Sequence, residues 1–556
     1  MDLSAGAVAA HNQRERLDAL IGGRLGAEQH EGHAGSTGSA GCVAESIPGD
    51  WVARPMKRLS LVGWCLGLSV RLLAVEQPLP RSSPESQGVD SAGLLTFVEA
   101  LESEVDAVHS IMLVRHGQVL AEGWWGPYAA EDWHVLYSVT KSFTSTAVGF
   151  AQQEGLLDIT DHVLDYFPES APTEPAGGMA QMRIRDLLTM ATGHEDDTMP
   201  RLRESPDDGW VKTFLATEVE HRPGIHFRYN SGASHVLAAL VQKVSGETVA
   251  EFLRLRLFEP LGIGEVLWGS SPGGVNLGAG GLNLRTEDLA KFGQLFLQQG
   301  RWGREQLLDA SWIEAASARQ VSSGGDPGSN WDAGYGYQFW RNKVSGFRAD
   351  GAQGQFVFVL PEYDVVLAVT SGTGNTNGVM EMVWQHLLPA LRYVVLPEND
   401  TARTELEAKL ASLTLALPTG APASPRSEQV SGVRYELEEN EQGLTAVTVD
   451  FSTASPLIEF EDASGRHAIT CGVGEWLRGR TGFRERISML WNVAEQGIAA
   501  SAAWSDEDTF VAKLCFTDTP YTITATFKFT GDELTLDMVH NQRWGDPVRP
   551  TVVGRR

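Results

Sequence analysis

The chain has 556 residues, of which 42% are hydrophobic and 21% charged, with a formal net charge of −27. That length exceeds one ordinary core and predicts two globular units plus tails, and the composition is that of a folded globular protein. The acidity excludes non-specific binding to nucleic acid or to an anionic membrane surface, since both would repel the chain.

Residues 1–55 are rich in Gly, Ala, His and charge without a sustained period and read as a disordered or mis-assigned extension. Met56-Lys57-Arg58 followed by the apolar run Leu59 to Val70 has the form of a secretory signal, so 56–77 is a candidate leader. Arg71 interrupts it and no A-x-A cleavage site follows. A start at Met56 implies export to the periplasm or medium, and any other start implies the cytoplasm. The run is short for a bilayer span, so no integral membrane anchor is expected in the mature protein.

A folded unit is expected from Pro78 to about residue 398. Asp90 caps a helix over Leu94–Leu101, and Ser110–Val114 with Gln118–Glu122 flank His116-Gly117 as a β-hairpin. Trp133, Val135 and Tyr137 alternate in strand fashion and lead into a helix with the apolar stripe Phe143, Ala147 and Phe150. Residues 150–300 read as mainly helical, with Met182–Leu188 and Gly246–Leu253 as clear stretches. Strands are expected at Tyr335–Trp340, Gln355–Leu360 and Val365–Thr370, then a helix over Val379–Leu391. Residues 399–432 read as one amphipathic helix followed by a Pro/Ser/Gly-rich linker. The alternation over 433–556, clearest in Tyr521–Phe529 and Glu533–Val539, predicts a small all-β sandwich or barrel.

Chemistry concentrates at Ser138-Val139-Thr140-Lys141. Three residues apart on a helix, Ser138 and Lys141 share a face, and a lysine stripped of water is neutral enough to take a serine proton. The helix start adds backbone N–H groups that favour developing negative charge. The four cysteines, Cys42, Cys65, Cys471 and Cys515, show no CxxC spacing, and no histidine cluster of metal-site type is legible, so neither metal nor cofactor is expected. Cys471 and Cys515 read as free buried thiols, with pairing open if the protein is exported. His134, His194, His226 and His235 lack a G-x-S-x-G partner and read as structural or pocket-lining. The Gly372–Gly378 loop lacks a Walker lysine and reads as a strand-to-helix turn.

Ser138-x-x-Lys141, Tyr229-Asn230-Ser231 and the glycine-bearing strand opening at Asp350-Gly351, in that order, resemble the three motifs of the serine β-lactamase and penicillin-binding family. Asp186–His194 and Gly280–Leu284 extend the likeness, closest to the class C-like branch with its esterases, D-amino-acid peptidases and 6-aminohexanoate-dimer hydrolases. The resemblance implies an α+β fold, an antiparallel sheet flanked by helices plus a helical subdomain. It makes Ser138 the acylated nucleophile, Lys141 its proton acceptor or alkoxide stabiliser, and Tyr229 the proton shuttle. The backbone N–H groups of Ser138 and Ala352 would form the oxyanion hole, with Ser231, Gly351 and Gln355 as substrate contacts.

Two departures narrow the expectation. Ser231 stands where the family's second motif ends in asparagine, and Ala349 where the third opens with a cation. The expected function is therefore hydrolysis of a small ester or amide rather than a β-lactam or D-amino-acid peptide. The competing readings are a non-catalytic binding or sensor protein on the same fold, and a β-lactamase or D-amino-acid peptidase.

Overall fold

Helix α1 (Ser91–Glu104) begins where the Asp90 carboxylate accepts the Ala92 amide at 3.2 Å, satisfying an otherwise unpaired N–H of the first turn. The computed structural model describes residues 77–205, 209–484, 494–541 and 546–556. The expected extension and nearly all of the candidate leader lie outside those residues. Among the described residues no helix is long and apolar enough to cross a membrane.

The hairpin follows α1 as strands β1 (Val108–Arg115) and β2 (Gln118–Trp124), reversed at His116 and Gly117, both in the left-handed region with φ 51° and 73°. With β3 (Trp340–Arg341), β4 (Phe347–Gly351), β5 (Gln355–Leu360) and β6 (Val365–Ser371) they build one antiparallel sheet in the order β2-β1-β6-β5-β4-β3. Successive side chains point to opposite faces. Met112, Val357 and Val366 join one hydrophobic cluster, whereas Ile111, Phe358 and Leu367 join another. Both faces are covered, which is why β5 and β6 are apolar without alternation.

The first face carries the helices that matter for function: α2 (Thr140–Gln153), α3 (Ser231–Ser245) and α4 (Thr286–Leu297). Helix α2 is buried on all sides from Thr140 to Ala151. Between α2 and α3 the expected helical character is confined to short pieces such as Ile184–Leu188, joined by irregular loops. The second face is covered by α1 and by α5 (Thr376–Met382), which continues as the π-helical turn Val383–Leu387 and the stub Leu388–Ala390. The single helix expected there therefore runs on without a break to Ala390, widened to a π turn just before Pro389, which has no N–H for the helical ladder.

The expected strand at Tyr335–Trp340 is realised only at Trp340, which opens β3; the residues before it form a buried turn. Gly334 and Gln338 have φ of 102° and 63°, incompatible with an extended run, and the Gln338 amide donates to the Leu187 and Leu188 carbonyls. Helix α6 (Asp400–Ala411) returns the chain to the second face. The linker expected beyond it is anchored at both ends: Leu413 and Leu415 bury in that core, and Ala421 pairs with Trp504.

The remaining strands, β7 (Val433–Leu437), β8 (Leu444–Asp450), β9 (Leu457–Asp462), β10 (Gly465–Thr470), β11 (Leu477–Thr481), β12 (Gln496–Trp504), β13 (Thr509–Cys515), β14 (Thr522–Thr530), β15 (Glu533–His540) and β16 (Val552–Arg555), form one sheet in the order β10-β9-β8-β7-β16-β15-β14-β13-β12-β11. Its edge strands β10 and β11 meet, so the sheet curls into a nearly closed barrel. Alternate residues Ile523, Ala525, Phe527 and Phe529 of β14 fill the interior. Cys471 and Cys515 are both buried and free. The described residues form one compact unit.

The barrel shares its core with the segment that precedes α2. Val135 and Tyr137 insert among the barrel's apolar residues, the Val135 amide donates to the Asp518 carbonyl at 3.1 Å, and the Tyr128 hydroxyl donates to the Thr519 carbonyl at 2.9 Å. The Tyr137 and Tyr521 hydroxyls hydrogen-bond to each other. The barrel thus grips the segment that delivers Ser138.

Candidate active site

A one-turn 3₁₀ helix, Tyr137–Val139, leads into α2 and places Ser138 two residues before it. Tyr137 has φ 47°, a conformation costly for a side chain with Cβ, and the barrel contacts hold it there. Ser138 remains partly exposed while its neighbours Tyr137 and Val139 are buried, so its hydroxyl is the group that substrate can reach.

The Lys141 ammonium donates to Ser138 Oγ at 3.0 Å and to the Ala279 carbonyl at 3.1 Å, and lies 4.8 Å from the centre of the Tyr229 ring. Lys141 is 1% exposed. Burial, helped by the Arg203 charge and opposed by Asp197, lowers its pKa from 10.5 to about 7. At neutral pH a large share of the lysine is therefore a free amine within reach of the serine proton.

Tyr229 completes the group. Its hydroxyl interacts with Ser138, and its ring stacks on Trp340 with centroids 5.8 Å apart and meets Tyr335 edge-on. Burial, reinforced by the Asp350 and Asp197 carboxylates and opposed by the Ser138 hydroxyl, raises the phenol well above its ordinary value. Tyr229 thus stays protonated where Lys141 is partly neutral, which separates the two as proton donor and proton acceptor.

The second motif is held by helix capping. The Asn230 side chain accepts from Ala233 N at 3.2 Å and from the Thr198 hydroxyl at 2.8 Å, and Asp197 accepts the Ser231 amide at 2.8 Å. Ser231 is partly exposed beside Tyr229.

The third motif runs along the turn that carries Ser138. A Cβ on Gly351 would stand 2.3 Å from the Leu136 carbonyl oxygen and 3.2 Å from the Val139 amide nitrogen, so only glycine lets β4 come this close. Ala352 follows directly on Gly351, the residue that touches this turn. Gln355 does not face solvent: its amide donates to the Ala352 carbonyl at 3.2 Å and the Ser371 carbonyl at 2.6 Å, so it braces the turn, and the structure does not bring it among the groups open to a ligand. Ala349 is fully buried and offers no charge. Arg348, on the opposite face of the strand, is committed to Asp350 at 2.9 Å and to the Asn342 side chain and Asn330 carbonyl at 3.1 Å each.

His134, His194 and His235 are buried, and burial pushes each to about 4. His134 bonds His109 and the Val135 carbonyl, and His194 bonds the Thr192 hydroxyl, so these two are structural as expected. Asp197, Trp340 and the Ala279 carbonyl carry no local signal in the sequence. Asn230 stands in the second motif, and its position directly before a helical run is the signal for its capping role.

The beta-lactamase family model matches residues 99–391, and the chain belongs to this family of serine hydrolases. It is 26% identical over 346 residues to the 6-aminohexanoate-dimer hydrolase of Paenarthrobacter ureafaciens, covering 58% of this chain and 86% of that protein. It is 23% identical over 185 residues to a D-aminopeptidase of Brucella anthropi, covering 31% of this chain and 35% of that one. Among solved structures, a penicillin-binding protein homologue from Caulobacter crescentus aligns with a TM-score of 0.45 and 16% identity, over 57% of this chain and all of that one.

Proposed function

We propose that the protein hydrolyses a small ester or linear amide through an acyl-enzyme on Ser138. The observation that carries this reading is the buried Lys141 amine, 3.0 Å from Ser138 Oγ with its pKa lowered to about 7. Lys141 accepts the hydroxyl proton as Ser138 Oγ bonds to the substrate carbonyl carbon. The backbone N–H groups of Ser138 and Ala352 stabilise the resulting oxyanion, a contribution typically worth about 10²–10³ in rate. Tyr229 passes the proton to the departing alcohol or amine, and water then releases the acyl group by the reverse sequence.

Two features favour an ester or linear amide over a β-lactam. Ala349 supplies no cation for a ring carboxylate, and the nearby Arg348 is spent on Asp350 and three other acceptors. The 26% identical relative is named for hydrolysis of a linear amide dimer. Purified protein screened against short-chain p-nitrophenyl esters, linear ω-amino-acid amides, D-amino-acid peptides and a chromogenic cephalosporin tests the reading. The first two classes should dominate turnover, and a cephalosporin as best substrate would overturn it.

A further inference from the structure

We propose that Glu195, His221 and His226 form a binding site for one divalent transition-metal ion of the zinc, cobalt or nickel type at the rim of the active site. Their ligand atoms, one from each side chain, all lie within 4.8 Å of one another. Two imidazoles and one carboxylate are the donor set that such borderline ions prefer over magnesium or calcium, which favour oxygen alone. A tetrahedral ion at its usual bond lengths keeps its donors about 3.4 Å apart. His221 Nε2 already stands 2.6 Å from Glu195 Oε2, and the two imidazole rings have centroids 4.1 Å apart. Closing on an ion therefore needs ring rotations of partly exposed side chains and no movement of the main chain.

The backbone beneath these side chains is fixed. His221 N donates to the Gly193 carbonyl at 2.8 Å, Gly224 N to the Ala191 carbonyl at 2.7 Å and Arg228 N to the Met190 carbonyl at 2.8 Å. Gly193 has φ 87°, and a Cβ there would stand 2.3 Å from the His221 carbonyl oxygen, so the two segments touch where the ligands leave them. A cluster presented on paired segments needs less ordering on binding than one on a free loop. No regular spacing announces the site, because Glu195 and His221 are 26 residues apart in sequence; the expectation of no metal rested on local spacing alone.

The same two segments carry catalytic-site groups. Asp197, two residues after Glu195, accepts the Ser231 amide, and Tyr229 lies three residues after His226. An ion joining Glu195 to the two histidines therefore clamps together the loop and the strand-like segment that hold Asp197 and Tyr229, without touching Ser138 or Lys141.

The test uses the full chain, treated with chelator and exchanged into metal-free buffer. Zinc is titrated by calorimetry, and copper is added for electron paramagnetic resonance, whose nitrogen hyperfine pattern reports imidazole ligation. Wild type should bind one zinc at this site with a melting midpoint raised by a few degrees, and copper should show two nitrogen donors. His226→Ala and Glu195→Gln, checked by circular dichroism for native folding, should each weaken zinc by more than the roughly 10–100-fold that even an outer-shell partner is worth. Zinc affinity and copper spectrum unchanged in both variants, or no zinc binding by wild type, would overturn the proposal.

Discussion

Replacing Lys141 by methionine should make the protein more stable and far less active at neutral pH. Methionine keeps most of the lysine's volume and removes the charge. A pKa lowered from 10.5 to about 7 means that burial disfavours the ammonium by about 5 kcal/mol at 1.36 kcal/mol per unit. Loss of the hydrogen bonds to Ser138 and Ala279 returns about 0.5–1.5 kcal/mol each, and the Ala279 carbonyl is left with one partner fewer. The expected net gain at pH 7 is about 1–3 kcal/mol. Its pH dependence follows from linkage. Between pH 7 and 10.5 the unfolded lysine holds a proton that the folded one has released, so wild-type stability rises across that window, whereas the variant has no such term. The gap is greatest at and below pH 7 and closes toward 10.5. Urea unfolding of both proteins at pH 7 and pH 10 reads it, and p-nitrophenyl acetate hydrolysis at pH 7 should fall by about 10²–10⁴. A variant less stable than wild type at pH 7, with a gap independent of pH, would refute the argument that Lys141 is a desolvated base.

Wild-type kcat/KM should rise with pH through an apparent pKa near 7 as Lys141 loses its proton; a profile flat from weakly acid to weakly basic pH would assign the base elsewhere. Gly351→Ala places a methyl 2.3 Å from the Leu136 carbonyl and should cost about 1–3 kcal/mol with most of the activity, while Gly479→Ala, with open space around its Cβ, should change neither in thermal melts and ester turnover. Tyr521→Phe removes the barrel's hydroxyl partner to Tyr137 and should lower kcat several-fold with KM held, the energy of a hydrogen bond of about 0.5–1.5 kcal/mol. Equal kcat in that variant would mean that the barrel does not position the nucleophile turn.

The Ser138–Lys141 pair was legible because the two side chains interact within one turn, where spacing and contact are the same thing. The hairpin was legible for a similar reason, since His116-Gly117 can adopt the left-handed turn that its strands require. Local reading failed where partners come from far along the chain. Nothing near Tyr521 announces a hydrogen bond to Tyr137, and nothing in the acidic run Glu195-Asp196-Asp197 says that its last member holds the amide of Ser231. The aromatic run Tyr335–Trp340 looked like a strand because it buries several rings. Its left-handed Gln338, and the bonds from that side chain to the Leu187 and Leu188 carbonyls, show that burial, rather than strand pairing, selects the aromatics. Gln355 was read as a ligand contact from its motif position, whereas its side chain serves the fold of the turn itself.

The most direct test of the central claim is intact-mass analysis after incubation with a fluorophosphonate, followed by peptide mapping. The account predicts one adduct per chain, on Ser138, absent in Ser138→Ala and strongly slowed in Lys141→Met. An adduct on another residue, or no labelling together with no ester turnover, would contradict it.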